Sequence, residues 1–317
     1  MSGRPTILDV AARSGVSKST VSNVIRGAVG VSPDSQRRVL DAIAALGYRP
    51  NAAARQLVLQ RTSTIGVVVG DLANPFYGDL VKLLDRHAHD AGYTTAVSNT
   101  DGHPDRERVR IASLLEQRVA GIVLLQFSGN GSILEDLIAD GIPLAVVSST
   151  DPRVDGVGVD ESRGLALAVA HLAQLGHRRI AYATSELVEA RTNAARYDSF
   201  RRACAQYGCV ETSVDDATAV AAANDSVAIS LLDELERRGR RVPEDLSVVG
   251  FDGIAVGALT RIGLTTVAQP HERLAQTGIR LLLDRIESGG AAPPRQVLLD
   301  PHLVVRTTTA PPARKEL

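Results

Sequence analysis

Two groups of side chains in this sequence are suited to recognition chemistry rather than to bond-making. The first is Ser17-Lys-Ser-Thr-Val-Ser-Asn23. At helical spacing this run turns Lys18, Ser19, Ser22 and Asn23 to one side and Val21, Val24 and Ile25 to the other, a row of hydroxyl, ammonium and amide groups on a greasy backing. The second is a set of polar residues that each come after a short apolar run: Asp71-Leu-Ala-Asn-Pro-Phe-Tyr77, Ser148-Ser149, Ala223-Asn-Asp225, Asp252-Gly253 and Gln269. Any one of these could be a helix cap, as Asn224 and Ser162 could. Their recurrence at strand ends favours a pocket that hydrogen-bonds a small polar molecule.

Bond-making signatures are missing. The chain contains no G-x-x-x-x-G-K-[ST], no H-E-x-x-H, no G-x-S-x-G and no G-x-G-x-x-G after a strand. Among its seven histidines only His87 and His89 lie close; two apart on one predicted helix, they face different directions and read as solvated. Cys204 and Cys209 read as unpaired thiols. An enzyme is therefore not expected, and neither a cofactor nor a metal is called for.

The first group needs a scaffold that presents one helix face, and residues 1–50 supply it. Thr6 can cap a short helix to Arg13, with Asp9 in its first turn and Ile7, Val10 and Ala11 on its inner face. Ser14-Gly15 breaks it, and Ser17 can cap a second helix from Lys18 to Ile25. Ser32 and Pro33 open a third, with Val39, Leu40, Ile43 and Leu46 as its apolar stripe and Gly47 as its stop. Two short helices about a glycine turn, the second polar outside, is helix-turn-helix geometry, and such a helix fits the major groove. A plain three-helix bundle has the same spacing.

The second group needs strands. Apolar runs at 65–69, 94–98, 121–125, 144–147, 180–183, 218–222, 247–251 and 266–267 alternate with helical patterns at 76–91, 104–118, 132–140, 162–175, 192–207, 225–238 and 271–287. Fully apolar strands alternating with helices imply parallel sheets covered on both faces, in two lobes, with ligands held beyond the carboxyl ends of the strands.

Composition agrees with this division. The 317 residues are 44% hydrophobic and 22% charged, with net charge −1. Residues 1–61 hold nine basic and three acidic side chains, leaving 26 and 33 for the rest, so a cationic head precedes an anionic body. The N-terminus lacks an apolar signal core, and no run is long enough to span a membrane. A cytoplasmic, nucleoid-associated protein with no membrane partner is expected. A secreted solute-binding protein, the second rival after an enzyme, would carry a signal and no basic head.

Leu8-Asp-Val-Ala-Ala-Arg-Ser-Gly-Val-Ser-Lys-Ser-Thr-Val-Ser-Asn-Val-Ile25 and Gly47-Tyr-Arg-Pro-Asn-Ala-Ala-Ala-Arg-Gln-Leu57 resemble the lac repressor (LacI/GalR) family of transcription regulators. The resemblance implies that Lys18, Ser19 and Asn23 read bases and that Ser17, Thr20, Ser22 and Arg26 contact phosphates, with Thr6 and Asn51 also at the DNA. Asn23 stands where arginine is common, and Arg26 where asparagine is usual. Residues 51–61 imply a hinge helix whose Ala54 and Leu57 enter the minor groove, the leucine wedging between base pairs.

The resemblance continues through His171-Leu-Ala-Gln-Leu-Gly-His-Arg-Arg-Ile-Ala181, Val242-Pro-Glu-Asp-Leu-Ser-Val-Val-Gly-Phe-Asp252 and Leu264-Thr-Thr-Val-Ala-Gln-Pro270. It implies an all-α helix-turn-helix head and an α/β, two-lobed, periplasmic-binding-protein-like domain with parallel sheets. The domains would be 1–50, a hinge at 51–61, an effector-binding and dimerisation domain at 62–310, and a tail at 311–317. Its N-lobe would comprise 62–160 and 269–300, its C-lobe 161–268 and 301–310. Arg196, Asn224 and Asp252 would grip a sugar- or nucleobase-like effector, with Asn74, Phe76, Ser148 and Gln269 around it. The chain would act on a pseudo-palindromic double-stranded DNA operator, most simply as a repressor. It would do so as a homodimer, since a tail with two prolines and no heptads offers no tetramerisation helix. Only about ten residues separate Gly208 from Thr218, a strand and helix fewer than such a lobe needs, so an edge strand and a pocket wall should be missing and the effector response altered or weak.

Overall fold

The computed structural model describes residues 5–25, 30–48, 62–125, 131–185, 190–290 and 292–313. Arg26, Asn51, Ala54, Leu57 and the expected hinge at 51–61 lie outside the described residues. The chain divides into two compact units, Met1–Thr62 and Ser63–Leu317.

The first unit contains three described helices: α1 (Ile7–Ser14), α2 (Lys18–Ile25) and α3 (Pro33–Leu46). Thr6 and Asp9 form a reciprocal capping box at α1, Asp9 accepting from Thr6 N at 2.7 Å. Gly15 closes α1 at φ 64, a conformation that costs glycine little. Val10, Val21, Val24, Val39 and Ala42 form the core. Leu40 does not join it and is 52% exposed. The inner face of α3 runs Val39, Ala42, Ile43 and Leu46, at i, i+3, i+4 and i+7, and Leu40 lies about 100° around the helix from Val39.

The second unit contains two six-stranded sheets. The first comprises β1 (Thr64–Val69), β2 (Thr94–Asn99), β3 (Gly121–Leu125), β4 (Leu144–Val147), β5 (Asp155–Val159) and β11 (Gln296–Leu299), in the order β11-β5-β4-β3-β1-β2 and all parallel. The second comprises β6 (Arg179–Ala183), β7 (Val210–Glu211), β8 (Ala219–Ala222), β9 (Ser247–Asp252), β10 (Thr265–Ala268) and β12 (His302–Val304), in the order β12-β10-β9-β8-β6-β7, with only β12 antiparallel. The crossover helices are α4 (Pro75–Asp90), α5 (Pro104–Glu116), α6 (Gly131–Ala139), α7 (Glu161–Gln174), α8 (Ala190–Gln206), α9 (Asp225–Arg237) and α10 (His271–Ser288). The chain passes between the sheets after β5, after β10 and after β11.

Several sequence expectations need correction. The edge strand expected to be lost between Gly208 and Thr218 is present as β7, cut to two residues and paired with Arg179 and Ile180 of β6. A turn then leads directly to β8, with no helix between the two strands. Strand β5 escaped the apolar-run rule because glycine interrupts it twice. Those glycines answer to packing: a Cβ on Gly156 would stand 2.9 Å from Gln296 Oε1, and one on Gly158 3.3 Å from the Ser149 carbonyl carbon. The cap of α7 is Asp160, which accepts from Arg163 N at 2.9 Å, not Ser162. His87 is not solvated; it is half-buried, with Nε2 2.9 Å from Glu272 Oε1.

Candidate functional site

In the helical unit the polar face begins at the N-terminus of α2. Ser17, Lys18 and Ser19 are exposed, Thr20, Ser22 and Asn23 half-buried. Ser17 Oγ accepts from Thr20 N at 3.1 Å and lies 2.7 Å from Ser19 Oγ and 2.8 Å from Thr20 Oγ1. The three hydroxyls are thereby pre-positioned around the first turn, whose free N–H groups and lack of any acidic residue suit an anion. Thr6 is exposed but spends its hydroxyl in the cap with Asp9.

In the α/β unit the central feature is Arg196 on α8. It is buried, with its guanidinium 4.1 Å above the Phe251 ring. Nε donates to Glu161 Oε1 at 2.9 Å, and Nη1 donates to the Ala223 carbonyl at 2.6 Å and stands 3.5 Å from Asp252 Oδ1. Burial opposes its charge, but Glu161 and then Asp252 hold the guanidinium above its ordinary pKa. Gly164 makes the stacking possible, because a Cβ there would meet Phe251 Cε2 at 2.6 Å.

Asp252 ends β9 at φ 120, a rare conformation for a residue with a side chain. It is held there from several directions: Gln269 Nε2 donates to Oδ1 at 2.8 Å, and His271 Nε2 to the main-chain oxygen at 2.8 Å. Burial pushes its carboxyl up to about 6, against the pull of Arg196 and the Gln269 bond. Beside it, Asp225 is wholly buried and takes Gly253 N and Ile254 N on Oδ2, both at 2.8 Å, and Thr266 Oγ1 on Oδ1 at 2.6 Å. Burial, then the nearby Asp252, push this carboxyl up to about 7. A neutral Asp225 would accept both amides on Oδ2 and still share a proton with Thr266.

Among the described residues two cavities open at the carboxyl ends of the strands. One of about 280 Å³ is lined by Phe76 and Tyr77 of α4, by Ser148 to Asp151 after β4, by Asp160 and Glu161 after β5, and by Thr192 and Arg196 of α8. The other, about 390 Å³, is lined by Asn74, Thr184, Ser185, Asn224, Ser226 and Ser230 among others. It lies where the strand order reverses in both sheets, beyond β1 and beyond β6 and β8, the usual crevice of such folds.

The predicted effector set is thus divided. Phe76, Ser148 and Arg196 share the first cavity, and Asn74 and Asn224 the second. Asp252 and Gln269 are buried behind Arg196 and line neither. Both asparagines use their side-chain oxygens as helix caps, Asn74 on Phe76 N at 3.1 Å and Asn224 on Val227 N at 2.8 Å. Phe76 packs edge-on against Tyr77 and His271, each ring 5.0 Å away. Ser148 sits at φ 70 and hydrogen-bonds Tyr77, whose hydroxyl burial pushes well above its ordinary pKa.

Sequence reasoning passed over Asp160, Glu161 and Thr192. The first two come directly after β5, so recognising that strand would have brought them under the strand-end rule. Thr192 lies four residues before Arg196, on the same face of α8.

Comparison with known proteins gives a consistent result along the chain. Residues 6–51 match the model of bacterial regulatory proteins of the lacI family. Residues 62–217 match that of periplasmic binding proteins and the sugar binding domain of the LacI family, and 169–309 that of a periplasmic binding protein-like domain. The HTH-type transcriptional regulator DegA of Bacillus subtilis (strain 168) is 31% identical over 335 residues, spanning 97% of this chain and 99% of the relative. The HTH-type transcriptional repressor PurR of Aliivibrio salmonicida (strain LFI1238) is 31% identical, spanning 89% and 92%. Among solved structures, the lac repressor dimer bound to operator and the anti-inducer ONPF matches with TM-score 0.85 at 26% identity, covering 97% of this chain and all of that one. A LacI family regulator of Enterococcus faecium with bound ribose matches with TM-score 0.68 at 30% identity, covering 78% and 99%. Among the described residues no helix is long and apolar enough to cross a membrane, and no cluster of ligands could hold a metal ion.

Proposed function

The chain belongs to the lacI family of bacterial regulatory proteins, and from that membership we propose that it is a transcriptional repressor acting as a homodimer on a pseudo-palindromic operator in the cytoplasm, on the nucleoid. The observation that carries the DNA part is the N-terminus of α2, where exposed Ser17, Lys18 and Ser19 surround free helix N–H groups in a unit of basic charge. Lys18, Ser19 and Asn23 would meet base edges in the major groove, and Ser17, Thr20 and Ser22 the phosphates. Two copies would set two such helices one turn of DNA apart.

The α/β unit would sense a small polar molecule, of sugar or nucleobase size, held between the two sheets around Arg196, Phe76 and Ser148. Relatives solved with ribose or cellobiose support this reading, as does the placement of both cavities at strand ends. Binding there would favour one arrangement of the lobes and change operator affinity, a coupling usually worth about 1–3 kcal/mol. A reduced response to neutral sugars is favoured by one observation: Glu161 and the Ala223 carbonyl already occupy Nε and Nη1 of Arg196.

The test is selection of bound sequences from random double-stranded DNA by the purified, ligand-free protein. Enrichment of a pseudo-palindrome with a flexible central step is the expected outcome. Failure to enrich any sequence, with and without candidate effectors, would overturn the reading.

A further inference from the structure

The charges around the smaller cavity point to the class of molecule it takes. Among the described residues four charged groups line it: Asp151, Asp160, Glu161 and Arg196. Asp151 is already matched, since Arg153 donates to both of its oxygens, at 2.9 and 2.8 Å. Arg196 is shared between Glu161 and Asp252, two carboxylates on one cation. Asp160 accepts only the amide of Arg163, whose own guanidinium turns away to Asp300 at 2.6 Å. Among the described residues Asp160 therefore has no cationic partner, and the lining carries an excess of negative charge. A neutral sugar would find Nε and Nη1 of the arginine engaged, with Asp160 lacking a counter-charge and Glu161 sharing its own with Asp252.

Phe76 and Tyr77 line the same cavity from α4 as nearly buried rings, which gives the carboxylates an apolar neighbour of low polarity and strengthens their pull on a cation. Glu161 uses only Oε1 toward Arg196, which leaves Oε2 as an acceptor beside the hydroxyls of Ser148, Ser149 and Thr192.

We propose that the effector is a small amine-bearing polar molecule whose ammonium group rests on Asp160 and Glu161, with its carbon frame against Phe76 and Tyr77 and its hydroxyls on Ser148 and Thr192. This rests on the reading of the α/β unit as an effector domain and narrows it to a cation. A cavity of about 280 Å³ has room for one such molecule of amino-sugar size.

Calorimetric titration of the full chain with matched probes tests this: D-glucosamine against D-glucose, and putrescine against 1,4-butanediol, with ribose and cellobiose as neutral references. The amine of at least one pair should bind tenfold or more tightly than its neutral twin. Glu161→Gln and Asp160→Asn should each bring that ratio towards one while their melting curves show a folded protein; asparagine preserves the α7 cap. Equal or tighter binding of a neutral twin, or of ribose or cellobiose, would leave the effector reading standing and overturn the proposal. An amine preference unchanged in both variants would overturn the assignment to these carboxylates. Binding of no probe at all would overturn both the proposal and the effector reading.

Discussion

Arg196 Nε donates to Glu161 Oε1 at 2.9 Å, and this pairing occupies an arginine that the sequence alone would assign to a ligand. The guanidinium is buried between Phe251 on one face and the Ala223 carbonyl and Asp252 at its edge. It neutralises the start of α7 and the end of β9 together.

Arg196→Met should therefore destabilise the α/β unit strongly. Removing one partner of a buried ionic group leaves the others uncompensated, at a cost of about 3–5 kcal/mol. Glu161→Gln should cost less, because Arg196 keeps Asp252 and Ala223. Urea denaturation reads both, and an Arg196→Met midpoint equal to that of the unsubstituted chain would remove the cluster from the account of stability.

Asn224→Ala should cost about 1 kcal/mol through loss of the α9 cap. Asn224→Asp retains the acceptor and should restore most of that stability. If Asn224 also touches the effector through its amide nitrogen, the aspartate variant will be stable and yet bind the effector less tightly; unchanged affinity would limit the residue to capping.

The buried Asp225 predicts a pH dependence of defined sign. Its folded-state pKa is raised, by burial first, to about 7 from an ordinary 3.8. Between those values the folded chain keeps a proton that the unfolded chain has released, so this residue's contribution to stability is full below pH 4 and is lost as pH rises through about 7. Asp252, raised to about 6, acts in the same direction over a narrower window. Asp225→Asn can accept from Gly253 and Ile254 and donate to Thr266 without titrating. Its stability relative to the unsubstituted chain should rise from pH 5 to pH 8, with an upper bound of about 1.4 kcal/mol for each unit of displacement. A difference constant with pH would mean that Asp225 titrates normally.

Lys18→Ala should weaken binding to a selected operator by about 1–3 kcal/mol and relax the base preference at one position. Binding to random DNA should fall less. A loss equal on both DNAs, with the salt dependence lowered by about one unit of slope, would reassign Lys18 to a phosphate.

Local order carried much of this in the sequence itself. Thr6 with Asp9, Ser17, Ser32 with Pro33, and the glycines at 15 and 47 place the three described head helices, because caps and left-handed turns depend on neighbouring residues. The fully apolar strands β1, β3 and β4 were likewise legible, since burial on both faces leaves an uninterrupted apolar run. Strand β5 was hidden, because Gly156 and Gly158 are there to admit Gln296, 140 residues away, and Ser149 from the end of the neighbouring strand. With β5 hidden, Asp160 and Glu161 were hidden too. The residue types at the cleft could be read in advance, and so could the local cap that Asn224 makes on Val227, but the sequence does not say which of two carboxylates pairs with Arg196, that the Ala223 carbonyl takes its Nη1, or that Asp252 retreats behind Gln269. Those outcomes depend on distances between groups 17 to 35 residues apart, which only the packed structure sets.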